Sequence, residues 1–176
     1  MLLFRSLLLL ALAAAIGGCS NRHHAAGVDG PYAWGEAGNV RRYAHLYFAG
    51  QPDAAGLEAA KQAGVSVVIN LRQPGEHDWD EAAAAEAAGL RYYSVPVNGA
   101  APLARADMER IEAIVHEHED ADVLIHCASG NRAAAWLAIH LVERHGMETD
   151  EALALGRDAG ITRGAWVAKV RDYLGG

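Results

Sequence analysis

In the stretch HCASGNR, residues 126–132, four residues separate the thiol of Cys127 from the guanidinium of Arg132. A cysteine thiolate is a nucleophile, and the planar arginine fork can hold two oxygens of a phosphate or a related oxyanion. Gly130 lets the backbone between them turn without a Cβ clash. Successive amides of Ala128, Ser129, Gly130 and Asn131 can face one anion as a nest. Such a loop would hold an oxyanion against Cys127, with Arg132 and the amides stabilising charge on the transferring group. The other reading is an inert, buried cysteine in an ordinary turn. Cys-x4-Arg alone is too short a pattern to separate the two.

The surrounding elements give the loop a place. DVLIHC before it is an apolar run of strand type, and residues 131–145 after it are helix-favouring and apolar over most of their circumference. A loop at the carboxyl end of a buried strand, feeding a helix N-terminus, is where open α/β sheets bind ligands. The free N–H groups and partial positive charge of that helix end also favour a thiolate. Upstream, strands are expected at HLYFAG, VSVVINL and RYYSVPV. Helices are expected over residues 53–63, closed by Gly64, over DEAAAAEAAG, and around the stripe Met108, Ile111, Ile114 and Val115. Two more helical stretches follow residue 145, the last with Trp166, Val167, Val170 and Leu174 inward. Strands alternating with helices imply an α/β domain: a largely parallel central sheet of four to five strands flanked by helices.

The amino-terminal residues have a different character. Residues 1–18 carry one charge, Arg5, followed by an apolar run over residues 7–16. That run is too short for the ~20 residues a membrane span needs, and fits a signal peptide. IGGC resembles a lipoprotein cleavage motif, with Cys19 as the lipidated residue. By resemblance to sorting patterns, Ser20 implies the outer membrane, with the protein on the periplasmic side. Residues 19–38, rich in Gly, Ala and polar side chains, are expected to be a flexible tether, leaving residues 39–176 as the folded domain. With Cys19 lipidated, Cys127 is the one free thiol of an exported chain. The net charge of −7 argues against a nucleic-acid binder, so any anion site must be local.

INLR at residues 69–72, VPVN at 95–98 and HCASGNRAA at 126–134 resemble the tyrosine and dual-specificity phosphatase superfamily. AGQPDAAGLEAAKQAGVSVVINLR is similar to its beta-lactamase-hydrolase-like phosphatase subgroup. The resemblance covers about residues 39–145. It implies a Cys-dependent phosphatase acting on phosphate monoesters through a cysteinyl-phosphate intermediate, without a cofactor. Cys127 matches the nucleophile and Arg132 the phosphate-binding arginine. Ala128, Ser129, Gly130 and Asn131 match the phosphate cradle, and His126 the loop-ordering histidine, although a satisfied strand histidine is an equal reading. Arg72 would add positive charge near the cleft. The implied partner is a phosphorylated substrate, either a phosphotyrosine protein or a small phosphate monoester.

Three departures stand out. The wider superfamily has five residues between Cys and Arg, and this chain has four, a loop length shared with many sulfurtransferases. Ala133 replaces a frequent Ser or Thr. Asn98 sits where an acid Asp is often found, and an amide cannot donate a proton as an acid does. A leaving alkoxide needs that proton more than a phenolate does, so aryl phosphates would be favoured. Glu76, His77, Asp78 and Asp80 are the other candidates for the acid, each with a reading as loop or helix cap. Two further functions stay open: a rhodanese-type sulfurtransferase with a persulfide on Cys127, and a non-catalytic oxyanion-binding module. No metal site is expected. His23 and His24 read as linker, and His116 and His118, two apart, would face different sides of a helix. Trp34, Trp79, Trp136 and Trp166 read most simply as core or loop packing, with a wall for an aromatic substrate as the other reading of Trp79.

Overall fold

The computed structural model describes residues 27–175. The expected signal peptide, Cys19 and the His23–His24 pair lie outside them. The first strands are β1 (Asp29–Trp34), β2 (Ala37–Tyr43) and β3 (Leu46–Ala49), followed by helix α1 (Ala54–Gln62). Then come β4 (Val65–Asn70), α2 (Glu81–Ala87), β5 (Arg91–Ser94), α3 (Arg105–Glu117) and β6 (Asp122–His126). Three helices close the chain: α4 (Asn131–His145), α5 (Thr149–Ala159) and α6 (Gly164–Gly175). The strands form one sheet in the order β1-β2-β3-β6-β4-β5. β3, β6, β4 and β5 run parallel, and β1 and β2 extend the sheet as antiparallel strands.

The α/β architecture is the expected one, with six strands rather than four to five. The additional strands correct the expected boundary between tether and domain. Residues 29–38, read as tether, belong to the β1–β2 hairpin. Their composition hides this because much of β1 faces solvent, while Trp34, Ala37 and Val40 anchor the hairpin in the core. Gly35, at φ +56°, makes the turn between them, and a Cβ there would collide with the Asp53 carboxylate. β5 ends at Ser94, short of the expected RYYSVPV, because Pro96 lacks an N–H. Val95 and Val97 nevertheless donate to Asn70 O and Leu71 O at 2.9 and 3.1 Å.

Each central strand sends alternate side chains to opposite faces, as the pleat requires. Phe48, Val67, Ile69, Val123 and Ile125 join the stripe of α3 (Met108, Ile111, Ile114, Val115) and the apolar side of α4. Tyr47, Val68 and Leu124 face Leu57 and Ala60 of α1 and Ala85 of α2. Trp136 fills the middle of α4 at 1% exposure, so α4 is the buried helix its composition suggested. The sheet and this helix fix the two ends of the loop that joins them.

Candidate active site

β6 ends at His126 and α4 begins at Asn131, so Cys127, Ala128, Ser129 and Gly130 form the connection. The loop is laid against the segment after β3. Cys127 N donates to Ala49 O at 3.4 Å, Gln51 N donates to Ala128 O at 3.4 Å, and Ser129 bridges to Gly50. Gly130 caps α4 with φ +82°, a left-handed conformation that costs any L side chain about 1–2 kcal/mol. Cys127 is buried, while Ala128 and Ser129 are exposed. Asn131 turns its side chain to the α5–α6 connection. Its Oδ1 accepts from Thr162 N at 3.0 Å and Arg163 N at 3.1 Å, and its Nδ2 donates to Thr162 Oγ1 at 3.1 Å. What Asn131 can offer the cradle is therefore its backbone amide at the start of the helix.

Arg132 is held from several directions. Its Nη1 donates to Leu71 O at 3.1 Å, Val97 O at 3.0 Å and Glu76 Oε1 at 2.7 Å, and its Nη2 to Glu76 Oε2 at 2.5 Å. Burial works against its charge, but the Glu76 carboxylate and a hydrogen bond with the Cys127 side chain raise its pKa further. In return, the hydrogen bond from Arg132 holds the Glu76 carboxyl below its usual range. Glu76 meets the end-on edge of the guanidinium, made by the two Nη atoms. The side-on edge, Nε with Nη2, is a second bidentate face of the same fork.

Below the loop lies a buried polar group that includes a residue not singled out from sequence, Glu81. His126 Nε2 is 2.9 Å from Glu81 Oε1, and Arg72 pairs with Glu81 Oε2, all three side chains being fully buried. Asn70 Nδ2 donates to Glu81 Oε2 at 3.1 Å and to Tyr92 Oη at 2.8 Å. This corrects the expected place of Arg72. It neutralises Glu81 inside the protein and adds no charge to an open cleft, because α2 begins over the end of β4 and delivers Glu81 to it. Burial pushes the Glu81 pKa up, but hydrogen bonding and the neighbouring cations outweigh it and bring it below the ordinary value. Burial holds His126 below its ordinary value, against the pull of Glu81. His126 is thus a buried strand histidine whose Nε2 faces Glu81, a link from α2 to the residue preceding Cys127. The one sequence signal for Glu81 was indirect: an arginine at the end of a buried strand requires an anion.

The remaining acid candidates separate clearly. Asp80 caps α2 through Ala83 N at 3.0 Å, and His77 Nδ1 is 3.1 Å from Trp79 O. Asp78 is exposed. Asn98 Oδ1 accepts from Ala100 N at 2.9 Å and Ala101 N at 3.4 Å, so it orders its own turn. Asp107 lies in the first turn of α3. His118 bonds Tyr93 Oη at 2.9 Å, and His116 points to solvent. Among the described residues no group of three or more His, Cys, Asp or Glu could hold a metal ion. A cavity of about 590 Å³ adjoins the loop, lined by Ala128 and Ser129 on one side and by Gln51, Asp53, Glu36 and Trp79 around it.

The parallel sheet delivers a cysteine-and-arginine loop onto the start of a buried helix, the architecture of a phosphatase-like domain. The chain belongs to the family described as "Beta-lactamase hydrolase-like protein, phosphatase-like domain", which residues 42–143 match. It is 36% identical over 124 residues to the Beta-lactamase hydrolase-like protein of Xylella fastidiosa (strain Temecula1 / ATCC 700964). That match takes in 68% of this chain but only 28% of the relative. A counterpart in Agrobacterium fabrum (strain C58 / ATCC 33970) is 34% identical over 99 residues, covering 53% of this chain and 22% of its own length. Among solved structures, a DUF442 protein of Shewanella putrefaciens CN-32, assigned as a candidate phosphatase, superposes with a TM-score of 0.64 at 26% identity. The superposition covers 77% of this chain and 88% of that one. P. aeruginosa TpbA, solved as a cysteine-to-serine variant with phosphotyrosine, has the same fold, with a TM-score of 0.61 at 20% identity over 78% of this chain and 83% of its own.

Proposed function

We propose that the protein hydrolyses phosphate monoesters through a covalent intermediate on Cys127. The observation that carries this reading is the placement of Arg132. Two backbone carbonyls and Glu76 hold its guanidinium beside Cys127, and its side-on edge is suited to two phosphate oxygens. The amides of residues 128–132 and the start of α4 complete the cradle. The Cys127 thiolate attacks phosphorus and the sulfur–phosphorus bond forms. The phosphorus–oxygen bond to the leaving group breaks with its electron pair, and the leaving oxygen takes a proton. Water then cleaves the sulfur–phosphorus bond, releasing phosphate and returning the thiolate. Because Asn98 cannot act as the acid and Ala133 has no hydroxyl, the readiest substrates are aryl phosphates, whose phenolates need the proton least.

Hydrolysis of para-nitrophenyl phosphate under reducing conditions from pH 4 to 8 tests this. Cys127→Ser is expected to abolish turnover, and Arg132→Ala to lower kcat/KM by about 10²–10³-fold. Glu76→Gln removes the charged support of Arg132 and is expected to cost about tenfold, or about 1.4 kcal/mol. Turnover unaffected by Cys127→Ser would overturn the proposal. Persulfide on Cys127 after thiosulfate treatment, with no phosphatase activity, would point to sulfur transfer. Protection of Cys127 from alkylation by phosphate without turnover would point to an oxyanion-binding module. We further propose, from the residue pattern ending IGGC, that the chain is tethered by a lipid on Cys19 at the periplasmic face of the outer membrane.

A further inference from the structure

We infer that the cavity beside Ala128 and Ser129 receives the leaving-group half of the substrate. It selects phosphate monoesters with a flat leaving group, uncharged or cationic, and no second anionic group. The inference rests on the phosphatase reading of the same site. The cavity is too large to serve a phosphate alone, at about 590 Å³, and its inner side is made by the exposed cradle residues Ala128 and Ser129. A phosphate in the cradle would therefore project its ester group into this space. Opposite, the half-buried Trp79 offers a ring on which a flat group can stack, and Gln51 and Asn39 offer neutral amides.

The charges of the lining make the selection. Among the described residues that line the cavity, the charged ones are Glu36 and Asp53, both acidic. Asp53 is fixed in place, its Oδ1 accepting from Glu36 N at 3.1 Å and Gly56 N at 2.8 Å. These backbone hydrogen bonds also hold its carboxyl below the ordinary range. The two arginines at the loop are committed elsewhere: Arg132 to Glu76 and the oxyanion, Arg72 to buried Glu81. A second phosphate, or a carboxylate near the scissile ester, would meet two carboxylates and no Lys or Arg. One like-charge contact at roughly 6 Å, at an effective dielectric near 40, amounts to about a tenfold loss. Polyphosphorylated substrates and acidic peptide segments are thereby disfavoured.

The test compares three substrates whose phenolic leaving groups are chemically matched, because a methylene insulates the varied group: 4-(hydroxymethyl)phenyl, 4-(aminomethyl)phenyl and 4-(carboxymethyl)phenyl phosphate. The full chain in mild detergent, reduced, is assayed at low and high salt. The carboxymethyl substrate is expected to show kcat/KM about tenfold below the hydroxymethyl one at low salt, with the aminomethyl substrate equal to it or better. Salt should narrow the gap, since these charges face solvent. Glu36→Gln should also narrow it, and Trp79→Ala should raise KM for all three aryl esters without changing inhibition by inorganic phosphate. Equal rates for the three substrates, or a gap untouched by Glu36→Gln, would overturn the inference while leaving the phosphatase reading intact. No turnover of any of them by reduced protein would overturn both.

Discussion

Arg132 and Glu81 are charged side chains held by neighbours, and both place pH at the centre of the site. Glu81 has its folded pKa depressed, and so has His126, each with a fully buried side chain. Groups of this kind bind protons more readily in the unfolded chain, so the stability they contribute is present above their unfolded values and is lost as pH falls. For His126 the loss begins below about pH 6.5, and for Glu81 below about 4.5. Urea midpoints measured from pH 7 to 3 are expected to fall in that order. His126→Gln should remove the upper part of the decline. Glu81→Ala leaves Arg72 as an uncompensated buried charge and is expected to cost about 3–5 kcal/mol at pH 7. An unchanged midpoint in Glu81→Ala would contradict the buried network. Nothing in the spacing of residues 70–81 announced this group; a helix had to dock over a strand end to assemble it.

At the scale of elements, the cradle depends on what lies beyond its own seven residues. The loop begins at the end of β6, is braced on one side by residues 49–51, and is tied on the other to the α5–α6 connection through Asn131. Asn131→Ala would leave Thr162 N and Arg163 N without that acceptor. It is expected to lower stability by about 1–3 kcal/mol and to weaken phosphate inhibition, as α6 loses its registration against α4. Thermal melts and phosphate inhibition constants check this; a loss of stability alone would confine Asn131 to the scaffold. The helices themselves were legible because apolar spacing and end signals agree. Asp53 and Asp80 cap α1 and α2 through side-chain oxygens, and Gly146 closes α4 in the left-handed conformation. The β1–β2 hairpin was not legible, because β1 is exposed at every residue but Trp34 and so carries no apolar alternation to read.

The whole molecule combines a net charge of −7 with the anion cradle proposed at residues 127–132. An acidic surface around a phosphate site favours substrates that carry no further negative charge, which is the selectivity proposed for the cavity. Among the described residues no helix is long and apolar enough to cross a membrane, so the proposed attachment rests on the amino-terminal residues. Cys19→Ala is expected to move the protein from the membrane fraction to the soluble fraction of fractionated cells, with its specific activity retained. Membrane association that survives Cys19→Ala would overturn the lipid tether.

By itself, the order of residues determined the α/β class, the extent of α1 and α4 to within a residue, and the loop from Cys127 to Arg132 with the strand before it and the helix after it. These are local properties: apolar period, capping side chains and a glycine able to adopt positive φ. Tertiary structure alone decided what each charge does. Arg72 and Arg132 follow strands or loops of similar appearance in the sequence, yet one is sealed against Glu81 and the other is held beside Cys127 by Glu76. That difference arises because α2 and the loop before it bring two glutamates, five residues apart, to two different strand ends. The pairing of buried charges is a long-range property of the packed sheet and helices, which no local pattern encodes.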